Sequence, residues 1–403
     1  MAKKAKLSVN GYLADLLGWF KLPKQRNQWI DGGSPKLDAS DPITELAGKL
    51  HSGLIPAQII GIKEESPLAR TYTLEPEEGH LPLHYAGQYL CLKFDINGRK
   101  VSRPFSISSP PQMSYQDNRV QFTIKKHPGD EAYIHIWDTW KEGQRLTVEL
   151  PFGNFYYSKI RDAAHVVGIA GGSGVIPFRS IIADMPASGR PERLSLLYAS
   201  QTAGDILFKD ELENLAAENG GRIRIVHVLA EADVSWAGEK GTVNAELIRK
   251  LIQDYKDASF YVCGSAVFCN AVKGELDSLD IPSNRRRITA YGGSGPVESH
   301  PEFPKGQDNK TYTLTVLLGQ DRKEASAKSG ETVAAALEKA GLAVDTRCGS
   351  GECGWCRSKL EAGSIWQRPE GLGVRARDKD TGYFHPCSAY PISDLTVRVF
   401  SRL

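Results

Sequence analysis

Four cysteines in the last fifth of the chain have the type and spacing to do redox chemistry. Cys348, Cys353 and Cys356 form the run C-GSGE-C-GW-C, and Cys387 follows after 30 further residues. A C-x4-C-x2-C run with one distant cysteine is the spacing that cages a [2Fe-2S] cluster. Three ligands from one loop force the backbone to curl tightly, and Gly349, Gly351 and Gly354 permit that curl while turning amide N–H groups toward the sulfurs. A structural zinc site is the competing reading, but it normally presents two C-x2-C knuckles and only one is present. Iron and sulfide are the expected occupants.

Two further constellations lie upstream. Arg103-Pro104-Phe105-Ser106, preceded by Gly87-Gln88-Tyr89, ends a strand-like stretch. A flavin needs an aromatic plane, a cation for its phosphate and polar groups for its pyrimidine edge, and a strand end projects all three together. Alone the motif is weak. The segment GIAGGSGVIPF, residues 168 to 178, stands where a strand meets a helix; Gly171, Gly172, Ser173 and Gly174 would let backbone approach a pyrophosphate. The helix beginning near Val175 adds free N–H groups, and Pro177 sits in its first turn, where a missing N–H costs little.

The elements that must carry these residues differ along the chain. From about 56 to 150, period-two stretches such as AQIIGIKEE, QYLCLKFDI and RVQFTIKK predict six short strands of an antiparallel barrel, interrupted by one helix over Glu131 to Trp140. From about 160 to 291, apolar strands alternate with helical stretches, which predicts a parallel α/β sheet. Residues 292 to 310 are rich in Gly, Pro, Ser and charge and read as a linker. A third unit opens with TYTLTVLL, carries a helix between Gly330 and Gly341, and closes with DLTVRVF. The expected division is 1–55, a helical extension; 56–158, a barrel; 159–291, a nucleotide domain; 292–310, a linker; and 311–403, the cysteine-bearing unit.

The motifs together resemble a known family. Residues 311 to 403 resemble plant-type ferredoxin domains of ubiquitin-like α+β fold, with Trp355 bulkier than is usual. IKKHPGDEAYIHI and ELPFGNF, joined to the motifs above, resemble the ferredoxin-NADP reductase superfamily, and the module order resembles phthalate-dioxygenase-reductase-like enzymes. The resemblance implies flavin contacts at Arg103, Pro104, Phe105, Ser106, Ile124, Lys125, Gly129, Asp130, Glu131 and Ala132. It implies FAD ahead of FMN, with Phe105 and Ser106 at the reacting ring. For NADH or NADPH it implies Gly171 to Val175, Pro177, and Cys263, Gly264 and Ser265 of the YVCGSAVFCNAV segment, with Cys263 near the nicotinamide. Ser200 and Gln201, after the second strand, should meet the 2′ position, yet neither an acid nor an arginine stands there to fix the choice. Cys269 and the Asp205-Ile206-Leu207-Phe208 segment read as packing.

Electron bookkeeping explains the module order. A nicotinamide yields two electrons as a hydride, a [2Fe-2S] cluster accepts one, and a flavin can take two and release them singly. The expected activity is NAD(P)H-dependent reduction of an acceptor metalloprotein such as an oxygenase, desaturase or demethylase component. The alternative is a relay or sensing subunit without NAD(P)H turnover of its own. An electron-transfer subunit of dihydroorotate dehydrogenase fits less well, since its cluster segment is compact and lacks a full ferredoxin body.

With 403 residues, 41% hydrophobic and 24% charged, and a net charge of +2, the chain has an ordinary globular composition and no basic stripe for nucleic acid. Seven cysteines without a secretory signal point to a reducing, cytoplasmic setting, and no stretch reaches the ~18 apolar residues of a spanning helix. Leu7, Tyr12, Leu13, Leu16, Leu17, Trp19 and Phe20 can share one helical face, which packs on the protein itself or touches a partner or membrane surface.

Overall fold

The computed structural model describes Gln28 and residues 53–127, 130–291, 297, 300–307, 309–342, 344–367 and 376–400. The expected N-terminal extension, apart from its last three residues and Gln28, and the expected flavin contact Gly129 lie outside the described residues.

Six strands form the first sheet: β1 (Ile55–Ser66), β2 (Ala69–Pro76), β3 (Tyr89–Ile96), β4 (Arg99–Ser106), β5 (Val120–Lys125) and β6 (Arg145–Phe152). Their order is β4-β3-β6-β1-β2-β5, all neighbours antiparallel, and an isolated bridge between Ile107 and Phe122 brings the two edges together, so the sheet closes into a barrel. Alternate residues point inward, as period two demands: Ile59, Tyr72, Leu74, Leu90, Leu92, Phe122 and Val148 fill the core. Two helices accompany the strands. α1 (Pro111–Asp117) has no apolar period and gives no signal in the sequence; α2 (Glu131–Thr139) is capped by Asp130, whose side chain accepts from the Ala132 N–H at 2.8 Å.

The second unit alternates β7 (His165–Gly171), α3 (Ile176–Ser188), β8 (Arg193–Ser200), α4 (Lys209–Glu218), β9 (Ile223–Leu229), β10 (Glu239–Lys240), α5 (Ala245–Leu251), β11 (Ser259–Ser265), α6 (Ala266–Ser278) and β12 (Arg286–Tyr291). The sheet is wholly parallel in the order β10-β9-β8-β7-β11-β12. The strand order reverses between β7 and β11, and the carboxyl ends of those two strands flank the crevice where such sheets hold ligands. The Asp205–Phe208 segment packs as its sequence implied: Leu207 and Phe208 are buried, and the Leu207 N–H donates to the Tyr198 hydroxyl at 2.9 Å.

The third unit has a five-stranded sheet, β14-β13-β19-β15-β17, in which β13 (Thr311–Leu318) and β19 (Leu395–Val399) run parallel at the centre. Its other strands are β14 (Asp321–Lys328), β15 (Ser358–Ala362) and β17 (Tyr383–Phe384); β16 (Ile365–Gln367) pairs separately with β18 (Ala389–Pro391). Helix α7 (Val333–Lys339) covers the sheet through Val333, Ala336 and Leu337, and α8 (Ala376–Asp380) follows the cysteine loop. The stretch read as a linker is more than a tether. Val297 and Phe303 are buried against Tyr390 and Trp366, because two apolar side chains in a polar run still find an apolar patch.

His84, 5% exposed, sits under α1 with Nδ1 3.1 Å from the Ser114 hydroxyl, and burial pushes its pKa down to about 4. A lowered imidazole pKa means the folded state resists a proton that the unfolded chain accepts. Stability should therefore fall by up to about 3 kcal/mol as pH drops from 6.5 toward 4. Denaturant unfolding of the parent and His84→Gln across that window checks this: the variant should show a flatter slope, and equal slopes would refute it.

Candidate functional site

The four cysteine thiols converge from two segments. Cys356 and Cys387 stand 3.3 Å apart, and the Cys353 amide donates to Cys348 Sγ at 3.4 Å. Cys348 and Cys356 have their thiol pKa lowered mainly by hydrogen bonds from Cys353 and Cys387, whose own pKa values are raised in return. All four thiols therefore lie within hydrogen-bonding reach of one another as one coupled set, Cys387 meeting both Cys348 and Cys356. Among the described residues no three His, Cys, Asp or Glu side chains close on a single ion. Four thiols gathered from two segments match the four protein ligands that a [2Fe-2S] cluster takes.

The loop between the ligands is shaped by glycine. Gly349, Gly351 and Gly354 all have positive φ, near 67°, 83° and 69°. A β-carbon on Gly351 would lie 2.4 Å from the Ser388 hydroxyl, so the loop also needs its lack of a side chain to approach the segment bearing Cys387. His385 fixes the same contact: its Nδ1 lies 2.6 Å from the Gly351 carbonyl and must donate to it. The Trp355 amide donates to Cys353 Sγ at 3.4 Å, one of the N–H contacts that the curled loop was expected to offer.

The nucleotide loop is equally a matter of backbone. Gly172 to Val175 form a single 3-10 turn leading into α3, a helix of 13 residues whose N-terminus faces the crevice, with Pro177 in its first turn. A β-carbon on Gly174 would lie 2.0 Å from the Cys263 carbonyl, and those on Gly171 and Gly264 would strike the Phe268 ring at 2.8 and 2.7 Å. The GGSG turn and the Cys263-Gly264-Ser265 end of β11 are therefore in direct contact. Cys263 is fully buried, while Ser265 caps α6 by accepting from the Phe268 N–H. Phe268 was not singled out by sequence; an aromatic within a helix carries no sign that two glycines, Gly171 and Gly264, make room for it.

At the end of β8, Ser200 is buried next to the Tyr198 hydroxyl. Gln201 donates to the Glu231 carboxylate, and the Glu231 amide donates to the Gln201 carbonyl at 2.8 Å. An acid absent from 198–201 is thus supplied by the segment that follows the next strand.

Flavin-motif residues divide between two faces of β4. Phe105 lies opposite Leu90, 4% exposed, with ring centroids 5.4 Å from Phe122 and 5.5 Å from Tyr133. Ile124 joins the same core, and burial raises the Tyr133 hydroxyl pKa to about 12. Pro104 and Ser106 point to the other face, with Cys91 and Tyr89. Arg103 stands 3.7 Å from Asp130, the cap of α2, so a cation and a helix N-terminus lie side by side as a phosphate site requires. Its guanidinium also makes a two-pronged contact to Glu338 of α7, at 2.8 and 2.9 Å. Glu131, exposed at the start of α2, pairs with Arg99. Lys125 reaches Asp205 of the second unit at 3.7 Å.

Comparison with known proteins matches each module. An oxidoreductase FAD-binding domain model covers residues 56–157, an oxidoreductase NAD-binding domain model covers 169–274, and a 2Fe-2S iron-sulfur cluster binding domain model covers 317–391. The chain is a modular FAD, NAD(P)H and [2Fe-2S] oxidoreductase. It is similar to the glycine betaine monooxygenase reductase subunit of Pseudomonas aeruginosa, 27% identical over 84% of this chain and 93% of that one. It is similar too to the ferredoxin reductase component of 3-ketosteroid-9-alpha-monooxygenase from Mycobacterium tuberculosis, 27% identical over 87% and 98%. Among solved structures, phthalate dioxygenase reductase shares the fold, with a TM-score of 0.63 and 21% identity over 87% of this chain and 98% of that one. No helix among the described residues of the reductase is long and apolar enough to cross a membrane.

The packing of this reductase's nucleotide turn gives a direct test. A methyl group at Gly174 must push the turn off β11, so Gly174→Ala should destabilise the protein by about 1–3 kcal/mol and weaken pyridine-nucleotide binding. Thermal unfolding and nucleotide titration read both effects, and a variant unchanged in each would show that the contact is unimportant.

Proposed function

We propose that this reductase is the electron-supplying component of a terminal oxygenase or demethylase system. In that role it takes a hydride from NADH and delivers single electrons through Cys348, Cys353, Cys356 and Cys387 to a separate metalloprotein. The gathering of the four thiols in a loop that packs on the barrel carries the reading, and its support from relatives is that they are reductase components of monooxygenases. A bound flavin would supply the change from two-electron to one-electron chemistry.

The chain's residues take the following parts in this reading. Arg103 and the N-terminus of α2 at Asp130, Glu131 and Ala132 hold the flavin phosphate. Pro104, Phe105, Ser106, Ile124 and Lys125 shape the rest of the flavin groove, with Ser106 at the reacting edge and Phe105 supporting it from the barrel side. Gly171, Gly172, Ser173, Gly174, Val175 and Pro177 receive the pyrophosphate of the nucleotide, Cys263, Gly264 and Ser265 the nicotinamide end, and Ser200 and Gln201 the adenosine ribose. The boundaries 56–158, 159–291 and 311–403 are proposed for the three domains. A cytoplasmic location accords with seven cysteines that form no disulfide.

Preference for NADH follows from Glu231. Its carboxylate at the ends of β8 and β9 offers an acceptor to a ribose hydroxyl and repels a 2′-phosphate. The kcat/KM for NADH should exceed that for NADPH, and Glu231→Lys should narrow the ratio by roughly tenfold. A ratio unmoved by that substitution removes Glu231 from the argument.

The main reading is tested by iron and acid-labile sulfide analysis of the anaerobically isolated protein and by rapid mixing with NADH. Both flavin and cluster absorbance should bleach, and Cys353→Ser should lower cytochrome c reduction by at least about tenfold while NADH still bleaches the flavin band. A protein replete in flavin and iron that NADH and NADPH leave oxidised would instead be a relay or sensing subunit.

A further inference from the structure

The segment just before the first cluster ligand, Asp345-Thr346-Arg347, touches the barrel through every one of its residues. Asp345 accepts from Lys93 Nζ at 3.1 Å. The Thr346 carbonyl accepts from the Ser102 hydroxyl at 2.9 Å, and the Arg347 carbonyl from the Cys91 thiol at 3.5 Å. Lys93, Ser102 and Cys91 lie on β3 and β4, on the face of those strands that Pro104 and Ser106 share. Pro104 itself stands 3.8 Å from where a β-carbon on Gly349 would be.

The Arg347 side chain is held on three sides. Its guanidinium lies 3.2 Å from the centroid of the Trp355 ring and 4.2 Å from that of Phe152, the last residue of β6, and it pairs with Glu149 of the same strand. Trp355, set between two cluster ligands, is fixed in turn by donating its indole N–H to Asp345 at 2.7 Å. Glu149 stands 3.5 Å from Lys93, so Lys93, Glu149, Asp345 and Arg347 form one neutral set with a cation and an anion from each module. Their side chains are only 11–22% exposed, which removes most of the solvent screening that makes surface pairs weak.

Resting on the reading of a flavin barrel that feeds a cluster, we propose that Arg347, clamped between Phe152, Trp355 and Glu149, is the positioning residue that registers the cluster loop on the barrel for electron transfer between the two modules. It acts through the loop backbone and through Trp355. Transfer depends on how closely and how constantly the donor and acceptor groups are held, and a guanidinium one residue from Cys348 sets that for the cluster side. Glu149 is its fixed point on the barrel, remote in sequence from every ligand.

The test is made from the barrel side, so that the cluster's own ligand loop stays unaltered. In holoprotein, Glu149→Lys places a third cation in the set. NADH should reduce the flavin at the parental rate, iron content should be parental, and cluster reduction should slow by about tenfold or more. Amide hydrogen exchange at residues 345–347 should rise in the same sample. The volume-preserving Glu149→Gln should slow the same step by a smaller factor, which keeps the test open if the lysine variant folds poorly. Cluster reduction within twofold of parent and unchanged exchange in Glu149→Gln or Glu149→Lys would overturn the proposal. Failure of the parent protein to bleach with NADH would instead overturn the reading on which it rests.

Discussion

Two modules that fold around separate cores are joined by four half-buried charges, and the sign of each is answered across the interface. Lys93 and Glu149 stand on the barrel; Asp345 and Arg347 stand on the cluster module. Breaking such a set leaves desolvated charges unpaired, which costs about 3–5 kcal/mol per partner removed. A partly docked arrangement is therefore disfavoured relative to a fully docked one. Arg103 and Glu338 add a second anchor, again with one partner from each module. The register of the cluster loop against the barrel is held by these contacts together with the seat of Arg347 on Phe152.

A second constraint is the demand for bare backbone at both cofactor sites. At the nucleotide crevice, glycine brings two strand ends together within a space that a methyl group would occupy, and the Phe268 ring fills what remains. At the cluster, positive φ angles at three glycines curl the loop while His385 and Ser388 close it from the other segment. In both places the protein presents N–H groups and turns more than side chains, which suits ligands that carry concentrated negative charge.

Much of this was legible in the chain itself. Period-two stretches mark the barrel strands because one face of each is buried, and the cluster ligands stand out because three of the four lie within nine residues. What could not be read is what depends on contacts between distant segments. Arg103 was recognisable as a cation for a phosphate, but its pairing with Glu338 spans 235 positions, and the link from Lys93 to Asp345 spans 252. Glu231 escaped notice for a milder form of the same reason, since the parallel sheet sets the end of β9 beside the end of β8 and so delivers an acid that the second strand lacks. Phe105 looked like a ring-stacking residue by its place in the motif, whereas its strand register turns it toward Leu90 and the barrel interior.

Trp355 joins these threads. An indole between Cys353 and Cys356 is bulkier than the loop needs, and it stands two residues from the exposed Cys353. Its contacts point the other way: the ring lies on Arg347 and its N–H donates to Asp345, both facing the barrel. Cys353, two residues earlier, is the exposed member of the four cysteines. The loop thus has an inner side, built from Asp345, Thr346, Arg347 and Trp355, and an outer side at Cys353. The contacts that hold the loop on the barrel are thus made by residues other than the exposed Cys353.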